Sequence, residues 1–172
     1  MIIRVLISTL LLIATISCRS GSEEKSSQTR PGKKEMAALN RFLVQKDRER
    51  IVSYIERRNL KMTETPSGLW YMIKKEGTGG YLTDNDKIVM EYSCTLLDGT
   101  GCYSSEESGP REIILGRSEL EPGLAQGLRM LKPEGEALFI LPPFLAYGLK
   151  GDGDKVPSRS VLVYDIKILK NH

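Results

Sequence analysis

Histidine is all but missing from this chain: of 172 residues only one is His, and it is the last, His172. That removes a Ser–His–Asp centre, a general-base imidazole and the histidine ligands of a catalytic zinc. Cysteine is scarce as well. The three present are too few for an all-thiolate zinc site, which takes four. Aromatic residues make up 6%, with a single Trp. Charge of neither sign dominates: 25 Lys and Arg stand against 22 Asp and Glu, a net +3 with no long basic run. Nucleic-acid binding gets no support from that balance. The longest uncharged apolar run, residues 5–16, is too short for a bilayer, which takes about 20 residues as a helix. What is there suits one domain of roughly 100–150 residues with extensions. Such a domain can bury a core without disulfide stapling.

The apolar run (VLISTLLLIATI) follows Arg4 and leads through the small Ser17 to Cys18. A positive start and a short apolar centre mark an export signal rather than part of the fold. The segment resembles a bacterial lipoprotein signal, in which the Cys is acylated and becomes the new N-terminus. Thr15 departs from the large aliphatic residue usual there, and an ordinary secretory peptide with an incidental Cys is the alternative. Residues 1–17 are therefore read as a signal peptide and Cys18 as the lipidation site. Residues 18–35 carry Ser, Gly and charge with nothing apolar to bury, which makes them a flexible tether. Glu23 and Glu24 also resemble signals that carry some lipoproteins to the cell surface. The expected location is the cell envelope, lipid-anchored in the outer membrane and facing the periplasm, with surface exposure left open.

Residues 36–62 form the next segment, free of Gly and Pro. Leu39, Phe42 and Leu43 make one apolar cluster, and Ile51, Tyr54 and Ile55 another at helical spacing. Arg57 and Arg58 suit the negative end of a helix dipole, and Asn59 is a stop signal. A helix laid against the following domain is expected, with a dimerisation or partner-docking helix as the sharper alternative.

Residues 63–172 change to short β runs between Gly, Pro and Asp turns. Residues 69–74, 88–97, 112–115, 137–141 and 161–169 are the strand candidates. An Asp-Gly-Thr turn at 98–100 signals a hairpin into residues 101–105. One short helix opens at Pro122, shows Leu124, Leu128 and Leu131 on one face, and stops at Pro133. The expected fold is α+β: an antiparallel sheet wrapped on one short helix, with an N-terminal helical extension.

Two tempting motifs fail. The GTGG of residues 77–80 lacks the Lys-Ser/Thr of a phosphate loop and opens no helix. Asp152 and Asp154 resemble a fragment of a calcium loop without its other ligands, and are read as a solvated turn. No metal, nucleotide or other cofactor is implied.

Three stretches carry the function: EYSCTLLDGTGCYSS from Glu91, IILGRSELEPGLAQGLRMLKPEGEALFILPPFLAYG from Ile113, and VPSRSVLVYDIKIL from Val156. In order and spacing they resemble the FKBP-type peptidyl-prolyl isomerases, and PSGLWYMIKKEGTG at residues 66–79 resembles the opening of bacterial members. With the signal and helix, the chain resembles the gliding-motility-associated isomerases of the Bacteroidetes. The chemistry such a site performs needs no proton transfer. Rotation about a peptide bond meets a barrier of ~18–20 kcal/mol because amide resonance is lost midway. An apolar pocket that strips water from an X-Pro amide and binds its twisted form lowers that barrier.

The resemblance implies roles residue by residue. Tyr92 is a pocket wall, Leu120 and Glu121 contact the ligand with the Glu121 N–H as a donor, and Leu124 is the floor. Tyr147 points its hydroxyl at a substrate carbonyl, while Val156 and Tyr164 close the remaining sides. Tyr92, Tyr147 and Tyr164 are thus the catalytic candidates; Tyr103, Leu120, Glu121, Leu124 and Val156 the substrate-binding ones. Departures from the family pattern are Cys102-Tyr103 for the usual Phe-Asp, Leu124 for the floor Trp, and Arg111 for a pocket-edge Phe. They imply reduced catalysis and reduced affinity for macrolides. By the same register, Cys94 and Cys102 flank the hairpin and face the pocket side, a candidate disulfide in an oxidising periplasm or two small buried thiols. The partners implied are proline-containing segments of envelope proteins and, through the lipid, a membrane; oligomeric state is undetermined. A weakly or non-catalytic chaperone or binding module of the same fold is the alternative function.

Overall fold

The β-rich part of the chain has apolar residues on both faces of its central strands, so both faces need a cover. The computed structural model describes residues 32–171. The signal at 1–17, Cys18 and all but the end of the 18–35 tether lie outside them. Met36–His172 make one compact unit; of the preceding unit, Met1–Glu35, the described residues are the start of a helix.

That helix, α1, is Lys33–Arg57. It begins inside the expected tether because the Glu35 carboxylate accepts the N–H of Gly32 at 2.9 Å, half of a capping box. It ends beside the expected stop at Asn59, within the 36–62 segment. Asn59 adopts φ 51°, the Leu60 N–H donates to the Ile55 carbonyl (3.0 Å), and the Asn59 N–H donates to Glu56 (3.1 Å). This closed C-terminal motif satisfies carbonyls a helix otherwise leaves orphaned.

The strands are β1 (Thr63–Glu64), β2 (Trp70–Lys75), β3 (Lys87–Leu96), β4 (Gly101–Ser104), β5 (Arg111–Ile114), β6 (Glu136–Leu141) and β7 (Leu162–Asn171). All pairings are antiparallel, in the order β1-β2-β6-β7-β3-β4. β5 pairs with the first half of β3 and β4 with the second, so both lie along one edge. Between them sits one helical turn, α2 (Ser105–Ser108), capped by Ser104, whose hydroxyl accepts the Glu107 N–H at 3.3 Å. Strand β1 and turn α2 carry no sequence signal strong enough to anticipate.

Alternation along β6 divides the core. Ala137, Phe139 and Leu141 face one cluster; Leu138 and Ile140 face the other. The first face is covered by α3 (Pro122–Leu128), which starts on its proline and buries Leu124 and Leu128; Leu131, just past its end, is also buried. The helix lies so close that a Cβ on Gly127 would sit 2.9 Å from the Phe139 ring. The second face is covered by α1 through Ile51 and Tyr54. Leu39 and Phe42, by contrast, stay about half exposed.

One buried ion pair fastens α1. Asp47, 4% exposed, accepts from Arg159 at 2.7 Å, and Arg159 also reaches the Leu43 carbonyl at 3.4 Å. Because the Arg159 side chain retains partial access to solvent while Asp47 does not, the two partners are unequal. Arg159→Met, which leaves the buried carboxylate only the exposed Arg50 guanidinium at 3.7 Å, is expected to destabilise the domain by about 3 kcal/mol. Asp47→Asn, which keeps a hydrogen-bond acceptor, is expected to cost about 1 kcal/mol. Urea unfolding of the two variants checks that order.

Candidate functional site

The site forms where β3, β4, β7, the start of α3 and the segment after β6 meet. Opposed residues of paired strands share a face, and Cys94 stands opposite both Tyr164 on β7 and Tyr103 on β4. Phe139 is also opposite Tyr164. A bulge in β4 supplies the next feature. Cys94 pairs with Tyr103 and Thr95 with Gly101, leaving Cys102 as the extra residue. Strict alternation would send Cys102 and Tyr103 to opposite faces. Instead both join the cluster beneath α3, Cys102 buried and Tyr103 packed against it.

Tyr92 is set by the turn after β4. Its backbone N–H donates to Ser105 Oγ (3.0 Å), and the same hydroxyl donates back to the Tyr92 carbonyl (3.2 Å). Its ring lies 6.4 Å from that of Tyr164, tilted by 32°. A single turn of 3₁₀ helix, Pro143–Leu145, then delivers Tyr147. Leu124, Val156 and Tyr164 form a closed floor, none more than 3% exposed. Tyr92, Tyr103, Leu120 and Tyr147 are half-buried around it. All eight residues named from sequence therefore converge on this face.

The chemistry at the centre differs from the expectation at two points. Tyr147 does not hold its hydroxyl free for a substrate: it donates to Glu121 Oε1 at 2.5 Å, and Tyr164 donates to the same oxygen at 2.7 Å. The Glu121 side chain, expected to matter only through its backbone, is 6% exposed and occupies the pocket. Its Oε2 is buried with no hydrogen-bond partner among the described residues. Burial pushes both phenols well above their ordinary range, and the adjacent carboxylate adds to it. Both hydroxyls stay protonated donors at any physiological pH. The Glu121 N–H pairs with no other described backbone group.

Asp152, read from sequence as a solvated turn, also belongs to the site. It accepts the Tyr103 hydroxyl and the N–H groups of Asp154 (2.9 Å) and Val156 (2.8 Å). Despite desolvation, these bonds hold its carboxyl below the usual range, while hydrogen bonding to Asp152 pushes Tyr103 up to about 12. The role of the Glu121 side chain, and Asp152 altogether, escaped detection because acidic residues near turns are ordinary; only the fold brings a tyrosine hydroxyl to each. Arg111 stays at the rim and donates to the Glu119 carbonyl at 3.2 Å.

Of the two readings left open for the cysteines, the structure has the buried thiols. Cys94 and Cys102 are both free and buried. The bulge sets Tyr103, not Cys102, opposite Cys94, and the Cys102 thiol lies 3.7 Å from the Lys155 carbonyl. Burial pushes the Cys94 thiol up to about 12 and raises Cys102 as well. Since the thiolate is the nucleophile, iodoacetamide is expected to spare both in native protein at pH 8. Mass spectrometry after unfolding is expected to show both alkylated without prior reduction.

An antiparallel sheet crossed by one short helix, beside a floor ringed by tyrosines, defines an α+β pocket domain. Its tyrosine hydroxyls at 103, 147 and 164 are bonded to the carboxylates of Asp152 and Glu121. The chain belongs to the FKBP-type peptidyl-prolyl cis-trans isomerase family, whose model matches residues 79–169. It is 41% identical over 106 residues to the probable FKBP-type peptidyl-prolyl cis-trans isomerase FkpA of Neisseria meningitidis serogroup B, covering 62% of this chain and 39% of that one. FkpA of Aeromonas hydrophila is 34% identical over 125 residues, 72% of this chain and 45% of its own. The chain thus spans less than half the length of these curated relatives. Among solved structures, FkpA from Escherichia coli superposes with a TM-score of 0.62 at 26% identity, over 83% of this chain and 74% of that one.

Proposed function

We propose that this domain accelerates cis–trans isomerisation of X-Pro bonds in proline-containing segments of envelope proteins. The observation that carries the reading is the convergence of Tyr92, Tyr147 and Tyr164 around a buried apolar floor, inside the segment the family model matches. Uncatalysed X-Pro bonds flip in tens to hundreds of seconds. A proline ring resting on Leu124 and Val156 leaves its amide among aromatic rings, away from water. Loss of hydration disfavours the planar, resonance-stabilised amide more than the twisted one. The Glu121 N–H is a donor positioned at the entrance to α3. No acid, base or metal is required, which fits a chain without an internal His.

In an isomerase assay on a short X-Pro peptide, the intact chain is expected to speed cis-to-trans relaxation. Tyr92→Ala is expected to lower kcat/KM about fivefold, the loss of an aromatic contact worth roughly 1 kcal/mol, and Tyr147→Phe to lower it less. No acceleration at micromolar protein would replace this reading with the second one, a module that binds proline segments without turning them over. The Glu121–Tyr147 hydrogen bond, the Leu124 floor and the Cys102-Tyr103 pair favour that second reading, and they support weak macrolide binding under either.

Lipid on Cys18 would hold the domain at the outer membrane, facing the periplasm, on a tether of Ser, Gly and charged residues. No helix among the described residues is long and apolar enough to cross a membrane. Cells fed radiolabelled palmitate are expected to label the full chain, and Cys18→Ala to abolish both label and membrane fractionation. A labelled, membrane-bound Cys18→Ala protein would remove the anchor.

A further inference from the structure

Glu121 changes what the pocket can accept. Each tyrosine hydroxyl carries one proton, and both Tyr147 and Tyr164 spend theirs on Oε1. An incoming peptide carbonyl, itself an acceptor, finds no hydroxyl free and a carboxylate in its way. Breaking the Tyr147 bond to admit it would remove one of two donors from a buried carboxylate. An incoming donor meets the opposite situation. Oε2 is buried without a hydrogen-bond partner among the described residues.

The cations nearest the rim are committed elsewhere. Lys155 pairs with Glu107 at 3.2 Å and lies over the Tyr103 ring, while Arg111 is turned to the Glu119 carbonyl. Asp152 adds a second carboxylate on the same side, bonded to Tyr103.

We propose that Glu121 is a specificity-determining residue, and that its unpaired Oε2 selects proline segments carrying Lys or Arg next to the proline. This inference rests on the isomerase reading and names the substrate class of that same site. The cation brings the donor Oε2 lacks and leaves the Tyr147 and Tyr164 bonds intact. A carboxylate-to-cation bond formed out of water is among the stronger hydrogen bonds proteins make.

The test compares Ala-Xaa-Pro-Phe and Ala-Ala-Pro-Xaa peptides with Xaa as Lys, Leu or Glu, following cis–trans exchange by NMR and binding by calorimetry. Wild-type protein is expected to favour Lys over Leu by about tenfold in one of the two series, with Glu weakest. Added salt shrinks the gap. Glu121→Gln is expected to erase the Lys preference, and Glu121→Ile to improve the Leu peptide as Tyr147 is released. Equal values for Lys and Leu in both series overturn the proposal, with or without folded variants. So does a Lys preference that survives in Glu121→Gln. If no peptide is accelerated, the isomerase reading fails while calorimetry still decides the selectivity.

Discussion

The alternation of side chains along β6 and β7 governs the rest of this molecule. Ala137, Phe139 and Leu141 turn one way, Leu138 and Ile140 the other, and β7 repeats the division with Tyr164 and Val163. A sheet apolar on both faces cannot leave either in water, because each buried aliphatic side chain is worth about 1.5–3 kcal/mol. α3 covers one face and α1 the other, and their roles differ accordingly. α3 approaches through Gly123, against Leu141 and Leu145, and Gly127, against Phe139. α1 seals its face, fixed by Ile51, Tyr54 and the Asp47–Arg159 pair.

That pair links the two sides. Arg159 lies at the end of the segment carrying Tyr147, Asp152 and Val156, and its N–H donates to the Gly148 carbonyl at 3.0 Å. The helix on the outer face thereby anchors the strand entrance that shapes the pocket rim. At the centre, the buried Glu121 carboxylate is held by the hydroxyls of Tyr147 and Tyr164.

Much of this was legible in the chain. Strand positions followed from β-rich runs between turn residues, and α3 from Pro122, Pro133 and the leucine spacing between them. Asn59 marked the end of α1 because it is among the few residues that enter left-handed backbone readily. The family register named Tyr92, Tyr103, Tyr147 and Tyr164, which pack in one cluster, but not Asp152, whose carboxylate accepts the Tyr103 hydroxyl. The helix start was misjudged because Lys33, Lys34 and Glu35 read equally well as tether or first turn until Glu35 caps Gly32. For the cysteine pair the sequence left a disulfide and two buried thiols open, because a one-residue bulge is invisible in a sequence that alternates on either side of it.

The sequence by itself determined the class of fold, because local propensity, turn chemistry and the spacing of family motifs are one-dimensional properties. Only the tertiary structure decided the polarity of the site. Whether Glu121 faces water or the pocket depends on where Tyr147, 26 residues later, and Tyr164, 43 residues later, place their hydroxyls. A carboxylate goes inside only when such donors meet it there, and no local pattern announces that meeting.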